Sequence, residues 1–225
     1  MGRCESTLPE DIPKGALEYV ALSTLGLCSR REVHGEPDLE TYPMAIGATI
    51  YHLQIDLSDV DRAVYEKLDL RIARHPSETM RYLLTRAIAY CLCYEEGIAF
   101  SKGGISETEE PALAVRDLQG TLGVWIDVGS PSADRLHRAS KAADRVVVFT
   151  QNDPELLKRE ARSRAIHRVE RIEAYSLAGP FLDALDAATD RNAKWELVHT
   201  DGMLYATIGK KVIEGAVTRF TLGEA

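Results

Sequence analysis

Between Glu110 and Thr150 the sequence alternates its periodicity in a way that only a strand, a strand, a helix and a strand can satisfy, and this run constrains the fold more than any other stretch. An acidic turn with a proline (Glu109-Glu110-Pro111) leads into a short apolar run, Ala112 to Val115. A second apolar run covers Leu122 to Val128. A Gly-Ser-Pro break then opens a helical pattern from Ser132 to Arg145, and Val146, Val147, Val148 and Phe149 close the stretch. Short β-branched and aromatic runs bounded by turn residues read as strands, and the polar segment with periodic apolar positions reads as a helix. Leu122 to Val128 is apolar on both faces, which places it in the interior of a sheet.

Within that strand, side chains alternate, so Val124, Ile126 and Val128 share one face and Trp125 and Asp127 the other. A carboxylate on a central strand has to be paired, bonded to backbone donors, metal-bound or protonated, because an isolated buried charge is too costly. Two readings of Asp127 follow. It is a strand-end carboxylate bridged to an arginine of the next helix, or it is a metal ligand or catalytic acid.

Hydrophobic residues make up 45% of the 225 residues, enough for one substantial core. The net charge of −8 argues against charge-driven nucleic-acid binding over the whole surface, although it leaves room for a local basic site. No run of twenty apolar residues exists to span a membrane. Cys4, Cys28, Cys91 and Cys93 form neither a zinc spacing nor a C-x-x-C, so a reducing, cytoplasmic setting is expected.

Residues 1–43 are expected to form a poorly ordered extension: they hold Pro9, Pro13, Pro37 and Pro43, and their one apolar segment is interrupted by Glu18 and Gly26. Met-Gly-Arg-Cys-Glu-Ser fits the loose N-myristoylation pattern, but that pattern is short and common, and a leader preceding a start at Met44 is the simpler reading. From Ala45 the folded domain begins. Ala48–Leu57 and Tyr65–Ala73 alternate as strands, with Ser58 expected to cap a helical turn between them. His75-Pro76-Ser77 predicts a helix start, and Met80, Leu83, Leu84, Ala87, Ile88, Cys91 and Leu92 form its apolar stripe, ended by Gly97. Glu78 falls in its first turn, where a carboxylate opposes the helix dipole. A further helix over Glu155–Ala165, a strand over Val169–Tyr175, a short helix opened by Gly179-Pro180 and three C-terminal strands complete the chain, with Asp201-Gly202 as a hairpin turn.

The helix after Asp127 carries Arg135, Arg138, Lys141 and Arg145, and the last three form a cationic stripe at spacings of three and four. Carboxylates that hold a divalent metal, with a cation to stabilise developing charge, make a phosphate-handling site.

Several segments resemble the YaeQ family: Ala48-Thr-Ile-Tyr51, the turn Leu57-Ser-Asp-Val-Asp-Arg62, Ala73-Arg-His-Pro-Ser-Glu-Thr79, Glu110-Pro111, Trp125-Ile-Asp-Val-Gly129 and Phe149-Thr150. The resemblance runs from Met44 to near the C-terminus, and it implies a variant of the PD-(D/E)xK nuclease-like superfamily. The fold it implies is α/β, a mixed sheet with an αβββαβ core plus additional N- and C-terminal strands. The core falls on the helix at 78, strands near 99, 113 and 125, the helix at 132 and the strand at 146. In that superfamily Asp127 matches the third-strand acid and Glu78 the helix acid. Gly129 stands where a lysine is usual, so Arg138 or Lys141 is the natural substitute. Ala112 stands after Glu110-Pro111 where YaeQ relatives tend to carry Asp or Glu, leaving Glu110 or Asp117 to compensate. The resemblance therefore implies a Mg²⁺ or Mn²⁺ site on Asp127, Glu110 and Asp117, with nucleic acid as partner. The competing expectation is a non-catalytic binding or regulatory protein on the same fold, favoured by Ala112 and by the acidic net charge.

Overall fold

The computed structural model describes residues 47–101 and 109–223; the expected extension over 1–43, its acylation pattern and the boundary at Met44 lie outside the described residues. The alternating segments pair as β1 (Thr49–Asp59) and β2 (Val64–Arg74), an antiparallel hairpin. The helical stripe is α1 (Met80–Leu92), followed by β3 (Ile98–Phe100). The central run is β4 (Leu113–Arg116), β5 (Leu122–Val128), α2 (Ala133–Ala142) and β6 (Arg145–Thr150). After it come α3 (Pro154–Arg162), β7 (Glu173–Leu177), α4 (Gly179–Asp186), β8 (Asn192–Thr200), β9 (Met203–Ile208) and β10 (Lys211–Phe220).

The ten strands among the described residues join one mixed sheet in the order β2-β1-β8-β9-β10-β7-β6-β5-β4-β3. β1 runs parallel to β8, and β5, β6 and β7 run parallel to one another, while the remaining pairs are antiparallel. β5 is interior, between β4 and β6, as its two apolar faces require. Helices cover both faces there. On one, α1 packs on β2, β5, β6 and α4, enclosing Val124, Ile126 and Val147. On the other, α2 packs on β5, β6 and α3, enclosing Trp125, Leu136 and Val148.

Several local expectations differ from the structure. No helical turn follows Ser58: β1 continues through Asp59, whose carboxylate accepts the Arg62 N–H at 3.2 Å and turns the chain directly into β2. The cap of α1 is Thr79 rather than Ser77, its hydroxyl accepting the Tyr82 N–H at 3.2 Å. Glu78 therefore precedes the helix, and no acid sits in the first turn. α1 ends at Leu92, and Gly97, with φ +89°, instead serves the turn into β3, where a Cβ would lie 2.6 Å from the Arg116 carbonyl. α2 stops at Ala142 because Ala143 is extended, so Arg145 leaves the expected cationic stripe and opens β6 opposite Val124. Val169–Arg171 is a short 3-10 turn, and the strand begins at Glu173. Asp201 and Gly202 both take positive φ, as a tight hairpin turn demands.

Candidate functional site

β5 sets Asp127 on the face it shares with Trp125, and the residue is only 2% exposed. The Gly129-Ser130-Pro131 break then reverses the chain, Ser132 caps α2 by accepting the Arg135 N–H, and Arg135 in the first turn points back at the strand end. Its Nε donates to Asp127 Oδ2 at 2.8 Å and its Nη2 to Oδ1 at 2.7 Å, while Nη2 also reaches the Glu110 carbonyl at 2.6 Å. The guanidinium lies 5.5 Å from the Trp125 ring centroid. A planar fork on a carboxylate and an aromatic face is the arrangement that suits arginine and not lysine. Burial pulls the Arg135 pKa down, but its hydrogen bonds to Asp127 and the charge of that carboxylate together outweigh this and leave it raised.

A second buried pair sits nearby on the α1 side. Glu78, 4% exposed, accepts the His75 N–H at 3.0 Å and an Arg86 Nη2 donor at 3.2 Å on Oε2. Its Oε1 lies 2.9 Å from the same nitrogen, as an ion-pair contact. Arg86 is further fixed by the Ala73 carbonyl at 2.7 Å. Burial pushes the Glu78 carboxyl above its ordinary range, against the opposing pull of Arg86 and the His75 N–H.

Tyr82 links the two pairs. Burial raises its phenol pKa, Arg86 and Arg135 oppose that, and both Asp127 and Glu78 reinforce it. Its ring also touches Gly129, whose φ of +92° only glycine adopts without strain and whose Cβ would lie 3.4 Å from Tyr82 Cε2. A lysine at this position would be strained by that backbone conformation, not by lack of space. Gln151 borders the same spot, and its Oε1 is buried with no hydrogen-bond partner.

The YaeQ protein family model matches residues 44–217. This chain belongs to the YaeQ family. Uncharacterized protein YaeQ of Escherichia coli K12 is 27% identical over 177 residues, covering 78% of this chain and 97% of that protein. Its counterpart from Salmonella typhi is 33% identical over 109 residues, covering 48% and 60%. Among solved structures, YaeQ from Pseudomonas syringae superposes with a TM-score of 0.71 at 31% identity, covering 79% of this chain and 97% of that one. YaeQ from Xanthomonas axonopodis pv. citri gives 0.70 at 26%, covering 77% and 98%.

The other residues that the YaeQ resemblance nominated are dispersed. Arg138 is exposed and pairs with Glu109, in the loop before β4. Lys141 is exposed in the last turn of α2. Glu110 is exposed with its carboxylate 3.5 Å from Ser101 Oγ, and only its backbone carbonyl joins the Arg135 cluster. Asp117 shapes the turn before β5, accepting the Gln119 and Thr121 N–H groups at 2.9 and 2.7 Å, and those backbone donors, Thr121 first, lower its pKa. At 3.3 Å per residue, β5 separates that turn from Asp127 by roughly 17 Å. A divalent ion does not fit the residues as arranged. Both oxygens of Asp127 face Arg135, both oxygens of Glu78 face Arg86, and Ala112 supplies no ligand. Among the described residues no trio of His, Cys, Asp or Glu is disposed to hold a metal. Nor is any helix among them long and apolar enough to cross a membrane.

Tyr82, Arg86 and Gln151 are the members that sequence reasoning passed over, whereas the bridge from Asp127 to an arginine of the next helix was one of its two readings and falls on Arg135. Glu78, Tyr82 and Arg86 recur at a spacing of four, a legible single face had the polar positions of α1 been read as well as the apolar ones. Gln151 carried no comparable signal.

Proposed function

We propose that this YaeQ-family chain is a non-catalytic binding protein on a PD-(D/E)xK-like fold, in which Arg135 occupies the place where that superfamily's acids hold Mg²⁺. The order α1, β3, β4, β5, α2, β6 supports the nuclease-like reading of the core. The observation that carries the loss of catalysis is the two-point Arg135–Asp127 pair at 2.7 and 2.8 Å. A carboxylate that has committed both oxygens to a guanidinium must break charge-assisted hydrogen bonds, each worth about 1.5–3 kcal/mol, before it can ligate a metal. Ala112 removes the second ligand that would compensate. The exposed cations of the packed helices α2 and α3, Arg138, Lys141, Arg159 and Arg162, support a phosphate-bearing partner such as nucleic acid.

Calorimetric titration of Mg²⁺ and Mn²⁺ into wild type and Asp127→Ala tests this reading. Neither protein is expected to give a saturable isotherm. One-to-one Mn²⁺ binding tighter than about 0.1 mM, abolished by Asp127→Ala, overturns it. A labelled DNA duplex is expected to be retained without cleavage in Mg²⁺. Cleavage lost in Asp127→Ala would replace the binding reading with a phosphodiesterase.

A further inference from the structure

The face of the sheet opposite Asp127 carries a cavity of about 280 Å³ that the metal-site residues do not touch. Its floor is aromatic and apolar. Phe149 and Tyr175 stack with centroids 5.2 Å apart and planes 18° from parallel, beside Leu92, Cys93 and Val217. Its wall is charged, and almost every charge is pinned. Arg62 donates to the carbonyls of Leu92 and Tyr94. Arg145 forks onto Glu173 at 2.8 and 3.0 Å, and the Tyr175 hydroxyl donates to the same carboxylate at 3.1 Å. His199 Nδ1 sits 2.9 Å from Oδ1 of the fully buried Asp59, and its Nε2 lies 3.6 Å from Asp61. Asp61 itself accepts the Asp201 and Gly202 N–H groups, and the first of these backbone donors holds its pKa down.

Arg219 differs from its neighbours. It lines the same cavity opposite Tyr175 in the β10–β7 register, and among the described residues its guanidinium makes no hydrogen bond or ion pair within 4 Å; the Glu173 carboxylate, already forked by Arg145, acts on it through charge alone. Each other cation on the wall is already bonded to an acceptor, so one positive charge on a preformed rim is left to meet a ligand. The rings supply a flat, polarisable surface beneath it. A volume near the lower end of the usual range for small-molecule sites, roughly 300–1,000 Å³, has room for a single ring and not for a polymer. The Asp61 carboxylate on the same wall repels a second negative charge.

We propose that this cavity binds a small aromatic monocarboxylate, its ring lying on the Phe149–Tyr175 shelf and its carboxylate on Arg219. Recognition follows from the three elements together: an aromatic floor, one guanidinium without a hydrogen-bonded acceptor and an acidic neighbour that penalises dianions. The site is independent of the Asp127–Arg135 pair, which projects from the other face of β5.

Titration of the full-length protein with sodium benzoate, followed by two-dimensional NMR and calorimetry, tests the assignment. Saturable binding in the low-millimolar range or tighter is expected, with shifts at Tyr175, His199 and Val217. Benzamide, the neutral isostere, and phenylphosphate, the dianion, should each bind at least about tenfold more weakly. Arg219→Gln removes only an exposed side chain and is expected to keep the wild-type melting temperature while weakening benzoate at least about tenfold. Asp127→Ala should leave benzoate binding unchanged, whatever it does to metals. No saturation by about 20 mM benzoate, equal binding of benzamide, or undiminished binding in a folded Arg219→Gln protein each overturns the proposal.

Discussion

Replacing Arg135 by methionine isolates the energetic claim on which the proposed function rests. The substitution keeps the length of the stem and its contact with Trp125 but strips both hydrogen bonds from a carboxylate that is 2% exposed. Removing one partner of a buried pair costs about 3–5 kcal/mol, because the remaining charge has no solvent to return to. Arg135 is 19% exposed, so water reaches part of the gap and about 3 kcal/mol is expected. A domain of this length loses roughly 2–4 °C per kcal/mol, so the melting temperature should fall by about 6–12 °C. Asp127→Asn should cost only about 1 kcal/mol, since the guanidinium can turn to solvent and the amide oxygen still accepts. Urea denaturation of wild type, both single variants and the double variant gives the coupling, expected to be about 2 kcal/mol. Arg135→Met should also be the variant that first acquires Mn²⁺ affinity, because Asp127 is then free to ligate. A loss below about 1 kcal/mol, with coupling near zero, would falsify the view that the pair closes this site.

Three further outcomes follow from the same geometry. Glu78 has a raised folded pKa, so its contribution to stability is present below its ordinary value of 4.5 and lost as pH rises through the folded value. The stability of wild type relative to Glu78→Gln should therefore fall as pH rises above 4.5, and a constant difference in urea midpoint counts against the assignment. Gly129→Ala forces an L-residue into φ +92° against the Tyr82 ring and should cost about 1–2 kcal/mol, read as a lower urea midpoint with an unchanged slope. Cys93, buried and pushed up to about 12, should resist iodoacetamide at neutral pH in the folded protein and react only on unfolding; rapid alkylation of the native protein contradicts its burial.

The sequence by itself determined the interior position of β5 and the order of the strands apart from β3, which only the family resemblance placed. Those features are written in local periodicity: alternation for strands, the three-and-four stripe for α1, and the Asp201-Gly202 turn. It also determined that Asp127 is buried on the Trp125 face, because side-chain alternation on a central strand leaves no other choice. Which cation meets Asp127 was decided by tertiary structure. Arg135, Arg138 and Lys141 all follow the strand, and only the cap at Ser132 and the sharp reversal at Gly129 turn the first of them back towards the strand end. Arg145 was lost from the helix for a similar reason, since pairing with Val124 in the parallel register took the backbone out of the helix. The link between Glu78 and Asp127 through Tyr82 depends on packing α1 against β5, a contact between segments far apart in sequence. The pocket under Arg219 depends on packing still less local: it gathers the β1–β2 turn, α1, β6, β7, β8 and β10, and no linear spacing records which residues six separate segments bring to one wall.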